Sequence, residues 1–248
     1  MKKVLLITGA SSGIGASIAK LAANEEYAIC VNYRHSKEKA DAIVDELNKA
    51  GATAIALQAD ISKEDQAIQL FNELDEQLGP ISALVNNAGV ITPIDAFENI
   101  DEQRLKTVFE INVYGSFYCA REAVKRMSHK HGGSGGSIVN ISSIAASLGS
   151  PNEFIDYAAT KGAIDTMTKG LAKEVAAFGV RVNAIRPGLI ETEMHAHAGD
   201  SDRPNKFKHV IPMQRTGSAD EIAESVMWLL SDAASYVTGS LIDVSGGR

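Results

Sequence analysis

The chain has 248 residues, 45% of them hydrophobic and 22% charged, with a formal net charge of −7. This is ordinary composition for a folded globular chain, with enough apolar content to bury a core without covalent staples. The acidic balance argues against the clustered basic surface that nucleic-acid recognition requires.

In chain order, a strand is predicted over 2–7, extended by Thr8, followed by a glycine-rich turn, "TGASSGIG" (8–15), that opens a helix. Further strands are predicted at 28–32, 53–58, 83–87, 137–142, 181–185 and 240–244. Their apolar runs are continuous rather than alternating, the pattern of strands covered on both faces in a parallel sheet. Between them, 36–51 places Ala40, Ile43, Val44 and Leu47 on one helical face, and 63–79 does the same with Ile68, Leu70, Phe71, Leu74 and Leu78. Longer helical stretches cover 101–127 and 156–179, a shorter one covers 219–230, and "HKHGGSGGS" (129–137) is a loop. Alternating strands and helices without a composition break predict one doubly wound α/β domain over 1–248, with a seven-stranded, mostly parallel sheet and helices on both faces.

Cys30 and Cys119 each lie in an apolar run and read as buried free thiols of a reducing, cytoplasmic setting. The apolar stretch at 4–7 is too short for a signal peptide, and no run reaches the length of a membrane span. His195, His197 and His209 have no metal-ligand spacing, so no metal is expected.

The turn at 8–15 leads directly from a strand into a helix. Gly9 permits the tight turn, Gly13 lets the backbone approach a phosphate, and Gly15 lets the helix pack on the sheet. Ser11, Ser12 and Ile14 complete a cradle whose N–H groups favour a pyrophosphate. At the end of the second strand, where a dinucleotide fold meets the adenosine ribose, stand Tyr33 and Arg34 with no carboxylate before Glu38. A guanidinium there suits a 2′-phosphate, and Ser36 or Lys37 could assist it, so NADP(H) is expected, with NAD(H) the second choice.

In "YAATK" (157–161), Tyr157 and Lys161 stand four apart, on one helical face. A fixed ammonium there favours tyrosinate and would lower the phenol from its usual pKa of about 10. Ser143 closes the fifth strand, at the sheet edge where ligands bind, with Ser142 as its rival because successive strand residues face opposite ways.

Thr8 to Gly15, "NNAG" (86–89), the Asn of "INVYG" (111–115), the Ser of "NISS" (140–143), "YAATK" and "RPG" (186–188) follow one another along the whole chain. In that order they resemble the single-domain branch of the short-chain dehydrogenase/reductase family, with its Rossmann fold. The resemblance implies a carbonyl reductase, reversible as an alcohol dehydrogenase. Tyr157 would be the general acid or base, Ser143 would orient the carbonyl, and Lys161 would hold the nicotinamide ribose. Asn112 would interrupt its helix and extend a proton relay through a water. Asp60 and Ile61 would meet the adenine, and Asn87, Ala88 and Gly89 would line the cofactor cleft, with Asn86 tying the central strands. Pro187, Gly188, Ile190 and Thr192 would present one face of the nicotinamide. The segment 189–212 would be a substrate lid, and the chain would assemble as a homotetramer or homodimer. The resemblance covers both 3-oxoacyl-thioester reductases and glucose-type sugar dehydrogenases. The alternative from another class is a non-catalytic NADP(H)-binding regulator, against which the complete set of Asn112, Ser143, Tyr157 and Lys161 speaks.

Overall fold

A computed structural model describes residues 2–25, 27–200 and 202–248, without the side chains of His195, His197, Pro204 and Asn205. The strands are β1 (Lys3–Ile7), β2 (Tyr27–Tyr33), β3 (Thr53–Gln58), β4 (Ala83–Asn86), β5 (Gly136–Ile141), β6 (Val180–Pro187) and β7 (Leu241–Val244). Among the described residues they form one sheet in the order β3-β2-β1-β4-β5-β6-β7. Every neighbouring pair is parallel, so the sheet is wholly rather than mostly parallel. The strand order reverses between β1 and β4, which opens a crevice above the C-terminal strand ends.

The helices are α1 (Gly13–Ala22), α2 (Lys37–Lys49), α3 (Glu64–Gln77), α4 (Glu102–Phe109), α5 (Gly115–Met127), α6 (Ala145–Leu148), α7 (Ile155–Val175), α8 (Met194–His197), α9 (Arg203–Phe207) and α10 (Ala219–Leu230). They cover both faces. Successive residues of β1 serve different cores. Leu5 and Ile7 pack in one layer with Ile18 of α1 and Ile222, Val226 and Leu229 of α10. Val4 and Leu6 pack in the other with Leu70, Phe71 and Leu74 of α3, Cys119 of α5 and Val175 of α7. Hence the continuous apolar strands: each large side chain buried this way contributes about 1.5–3 kcal/mol, on either face.

The long helix expected over 101–127 is broken. α4 passes into a π-type turn, Glu110–Tyr114, before α5 resumes the ordinary pitch. Such one-turn expansions free backbone and side-chain groups from the regular ladder, and Asn112 lies in the middle of this one. The helix expected over 156–179 tightens into a 3-10 turn, Ala176–Phe178, closed by left-handed Gly179. α6, α8 and α9 are too short to carry a periodic signal. α10 matches its expected bounds and begins with a reciprocal cap between Ser218 and Glu221. Among the described residues no helix is long and apolar enough to cross a membrane.

Candidate active site

The crevice above the strand ends is a cavity of about 490 Å3. Its floor is held by side chains of the strands themselves. The buried Thr8 hydroxyl accepts the N–H groups of Asn87 at 3.0 Å and Ala88 at 3.1 Å. Asn87 returns its amide to the carbonyls of Thr8 and Gly9 at 2.9 and 3.0 Å. At the end of β2, Asn32 accepts the Gly9 N–H at 3.3 Å and donates to the carbonyls of Leu57 and Ala59, both at 3.3 Å. Three loops are thus stitched together beneath the cavity. Neither Thr8 nor Asn32 was singled out from sequence, although a polar residue ending an apolar strand was a visible signal.

Gly9 has φ +61°, and a Cβ there would lie 2.9 Å from the Ala88 backbone. Gly9, Ser11, Ser12, Gly13 and Ile14 line the cavity. Ser12 precedes α1 without capping it through its side chain, which leaves first-turn N–H groups without a side-chain partner from Ser12. Gly15 lies behind this wall, where a Cβ would be 2.6 Å from the Asn87 amide. Next come Arg34, His35 and Ser36. Arg34 pairs through Nε with Asp60 at 3.0 Å, and Asp60 also accepts the Ser62 hydroxyl at 2.7 Å. Lys37 is engaged with Asp41 at 2.6 Å. Tyr33 points the other way, 5% exposed in the core. Ile61 lines the cavity and presses on Gly115, directly after the π-type turn.

α7 brings Tyr157 and Lys161 to the opposite wall, both buried. Lys161 Nζ lies 5.5 Å from the centre of the Tyr157 ring and donates to the Ile141 carbonyl at 2.8 Å. Ser143 stands beside the Tyr157 hydroxyl, near enough to lower its pKa, and its own hydroxyl accepts the Ala145 N–H at 3.1 Å. Ser142 also lines the cavity, but its hydroxyl is engaged, donating to Asp165 at 2.7 Å. Asp165 is also gripped by Arg186 at 2.7 Å.

The expected lowering of the phenol is not what this arrangement produces. Burial pushes Tyr157 up to about 12, against the lowering effect of Ser143. The same burial pulls Lys161 down to about 8, opposed by the charge of Asp165. Desolvation disfavours both charged forms, and it outweighs their proximity.

Asn112 does not line the cavity; it is 1% exposed. Its amide exchanges hydrogen bonds with the Val90 N–H and carbonyl at 2.8 and 2.9 Å and donates to Thr160 at 3.2 Å. It braces the loop after β4 against α7. Asn87, Ala88 and Gly89 of that loop do line the cavity, as do Pro187, Gly188, Ile190 and Thr192 after β6. Asn86 donates to Asn140, and Asn140 to Thr168, a buried ladder from β4 through β5 to α7.

Beyond Tyr157 the wall is completed by residues sequence reasoning did not pick out. Phe154 packs with Tyr157 and with Ala198, just after α8. Arg203 of α9 and Arg248 also line the cavity. Among the described residues no group of side chains could hold a metal ion; the side chains of His195 and His197 lie outside that description, and His209 is exposed.

Residues 9–248 match a family model described as enoyl-(acyl carrier protein) reductase. An uncharacterized oxidoreductase of Escherichia coli is 52% identical over 245 residues, 99% of each chain. The 3-oxoacyl-[acyl-carrier-protein] reductase of Staphylococcus epidermidis is 38% identical, over 100% of this chain and 99% of its own. Among solved structures, a short-chain dehydrogenase/reductase from Serratia marcescens aligns with a TM-score of 0.91 at 31% identity, over 99% of this chain and 97% of that one. One from Mycobacterium marinum gives 0.92 at 31% identity, over 99% and 94%.

Proposed function

Because the chain belongs to the short-chain dehydrogenase/reductase family and is an NAD(P)H-dependent oxidoreductase, we propose that it is an NADPH-preferring carbonyl reductase, reversible on secondary alcohols, with Tyr157 as its general acid and base. The observation that carries the reading is the meeting of Ser143 and Lys161 on Tyr157 in one wall of the cleft. The cradle at the N-terminus of α1 fits a dinucleotide: Gly9, Ser12, Gly13 and Ile14 line it, and the Ser12 side chain leaves the first turn uncapped. Gly9 to Ile14 would hold the pyrophosphate, Asp60 and Ile61 the adenine, and Lys161 with residues 187–192 the nicotinamide end. The bound nicotinamide supplies or accepts the hydride.

The chain's own part is the proton. As the substrate carbonyl is reduced, the Tyr157 hydroxyl protonates its oxygen, and Ser143 donates a hydrogen bond that fixes the carbonyl's orientation. Lys161 places positive charge beside the developing tyrosinate. Asn112 acts as a positioning residue, through Val90 and Thr160. The segment 189–212 closes over the substrate as part of one domain spanning 1–248. The carbonyl class lies between acyl-chain and sugar substrates. The test is loss of reduced-nicotinamide absorbance over a panel of oxoacyl thioesters, diketones, aldehydes and keto-sugars. Tight NADPH binding with no turnover on any of them would favour a non-catalytic NADP(H)-binding regulator instead.

The preference for NADPH rests on Arg34. Arg34 and Ser36 line the cleft, with no acidic side chain in Tyr33's place. A charge-assisted hydrogen bond contributes about 1.5–3 kcal/mol, so Arg34→Ala should reduce the NADPH-over-NADH ratio of kcat/KM by about 10- to 100-fold. An unchanged ratio would remove Arg34 from the assignment.

The buried thiols Cys30 and Cys119 fit a reducing, cytoplasmic setting. Tyr114 and Phe117, each 48% exposed around the start of α5, and Trp228, 43% exposed on α10, support assembly into a tetramer through two faces. Sedimentation should give a mass near four times 26.3 kDa; a single-subunit mass would overturn the assembly.

A further inference from the structure

The far wall of the cleft carries an unbalanced charge. Arg203 is 6% exposed, with its guanidinium between the rings of Phe154 and Phe207, 5.1 and 4.6 Å from their centres. It makes a two-pronged pair with Glu153, at 2.5 and 2.6 Å. The pair joins α9 to the loop before α7, in which Ser150 and Asn152 both hold positive φ angles. Glu153 is therefore fully committed to Arg203.

Arg248 lines the same cavity. Its main-chain oxygen accepts the Ser245 hydroxyl at 3.0 Å, which fixes the residue in place. Among the described residues its guanidinium has no hydrogen-bond partner. The charges that reach it are Arg203, which opposes its own, and Glu153, already taken. Asp200, which also feels Arg203, is engaged with Lys206 at 2.8 Å. Among the described residues, Glu153 is the carboxylate whose charge reaches both guanidinium groups. A half-buried cation without a partner is costly, and a ligand anion relieves that cost. Arg203 is bound to the loop next to Phe154, and Phe154 packs on Tyr157, so the charge lies beside the catalytic wall and away from Arg34.

We propose that the substrate is an oxo acid (or the matching hydroxy acid), whose carboxylate is received by the planar fork of Arg248 while its carbonyl meets Ser143 and Tyr157. The proposal rests on the carbonyl-reductase reading above. It sets this cleft apart from one built for a neutral thioester or sugar, because those bring no charge to Arg248.

The test uses a short series of oxo acids that differ in the spacing between carbonyl and carboxylate, each beside its methyl ester, with NADPH. The best acid should exceed its ester in kcat/KM by about 100-fold. Arg248→Gln should lower the acid's kcat/KM by about 100-fold and leave the ester's within about twofold. Arg248→Lys, which keeps the charge but loses the fork, should fall between. Equal rates for acids and esters, or an Arg248→Gln loss shared by both, would overturn the proposal while leaving hydride transfer standing. Preference for the matched oxo phosphonates over the acids would overturn the carboxylate. If neither acids nor esters are reduced, the catalytic reading fails separately. Calorimetric titration of the NADPH-loaded protein with hexanoate then decides the anion site: binding abolished by Arg248→Gln supports it, and no binding to the wild type overturns it.

Discussion

Tyr157→Phe is expected to lower kcat by about a hundred- to ten-thousand-fold, the contribution of a positioned general acid, with the melting temperature and NADPH affinity nearly unchanged. The variant keeps the ring that packs with Phe154 and Ala198 and deletes only the hydroxyl beside Ser143. A residual rate near that of the wild type would take the proton away from Tyr157. The same phenol sets an asymmetry with pH. Burial pushes it up to about 12, so near neutrality it is protonated and ready to donate. Carbonyl reduction should therefore need no alkaline activation. Alcohol oxidation needs the phenolate, whose fraction grows about tenfold per pH unit below that pKa. Its kcat/KM should climb steadily from neutral into alkaline solution, and a flat profile would contradict the burial argument.

Arg104→Met is expected to be the most damaging of the charge deletions. Arg104 of α4 reaches across the sequence to Asp156, one residue before Tyr157, with contacts at 2.7 and 3.1 Å, and donates also to the Pro93 carbonyl at 2.7 Å. The Asp156 side chain is 0% exposed and that of Arg104 12% exposed. Removing one partner of a buried pair costs about 3–5 kcal/mol, because the other charge stays buried alone. For a chain of this size that corresponds to a fall in Tm of roughly 10 °C. The pH dependence has a definite sign. Burial alone pushes the Asp156 carboxyl up, but Arg104, the Tyr157 N–H and Thr92 together hold it below its ordinary value. A depressed carboxyl contributes stability above its unfolded pKa, about 3.9, and loses it as pH falls through the folded value. The stability gap between wild type and Arg104→Met should therefore be full at neutral pH and close in acid. A gap that stays constant down to the acid transition would mean that lost packing, not charge, caused it.

What could be read from the sequence follows the range of the forces involved. The glycine turn and the Tyr157–Lys161 pair are local in the chain, and both stand on walls of the cavity. Tyr33 shows the limit. It belongs to a correctly located segment but faces away from the cleft. Carrying the strand alternation through Asn32, Tyr33 and Arg34 would have put the first and third toward the cavity and the second in the core. The phenol's shift was misjudged because sequence displays the neighbouring charge of Lys161 but not the desolvation of both groups. Glu153, Arg203 and Arg248 were out of reach altogether. Their association spans dozens of residues, runs through loops with no periodicity, and depends on where α9 folds back.

The pairing of α1 with α10 has a consequence for synthesis. Ile18 is covered by Ile222 and Val226, from a helix that begins some 200 residues later in the chain. At about 5–20 residues per second, a ribosome takes on the order of 10–40 s to deliver α10 after α1 has emerged. Throughout that interval the nascent first half, with β1 to β3 already made, carries an uncovered apolar face around β1. Escape from aggregation then depends on what shields that face in the cell, and α10 acts as the closing cover.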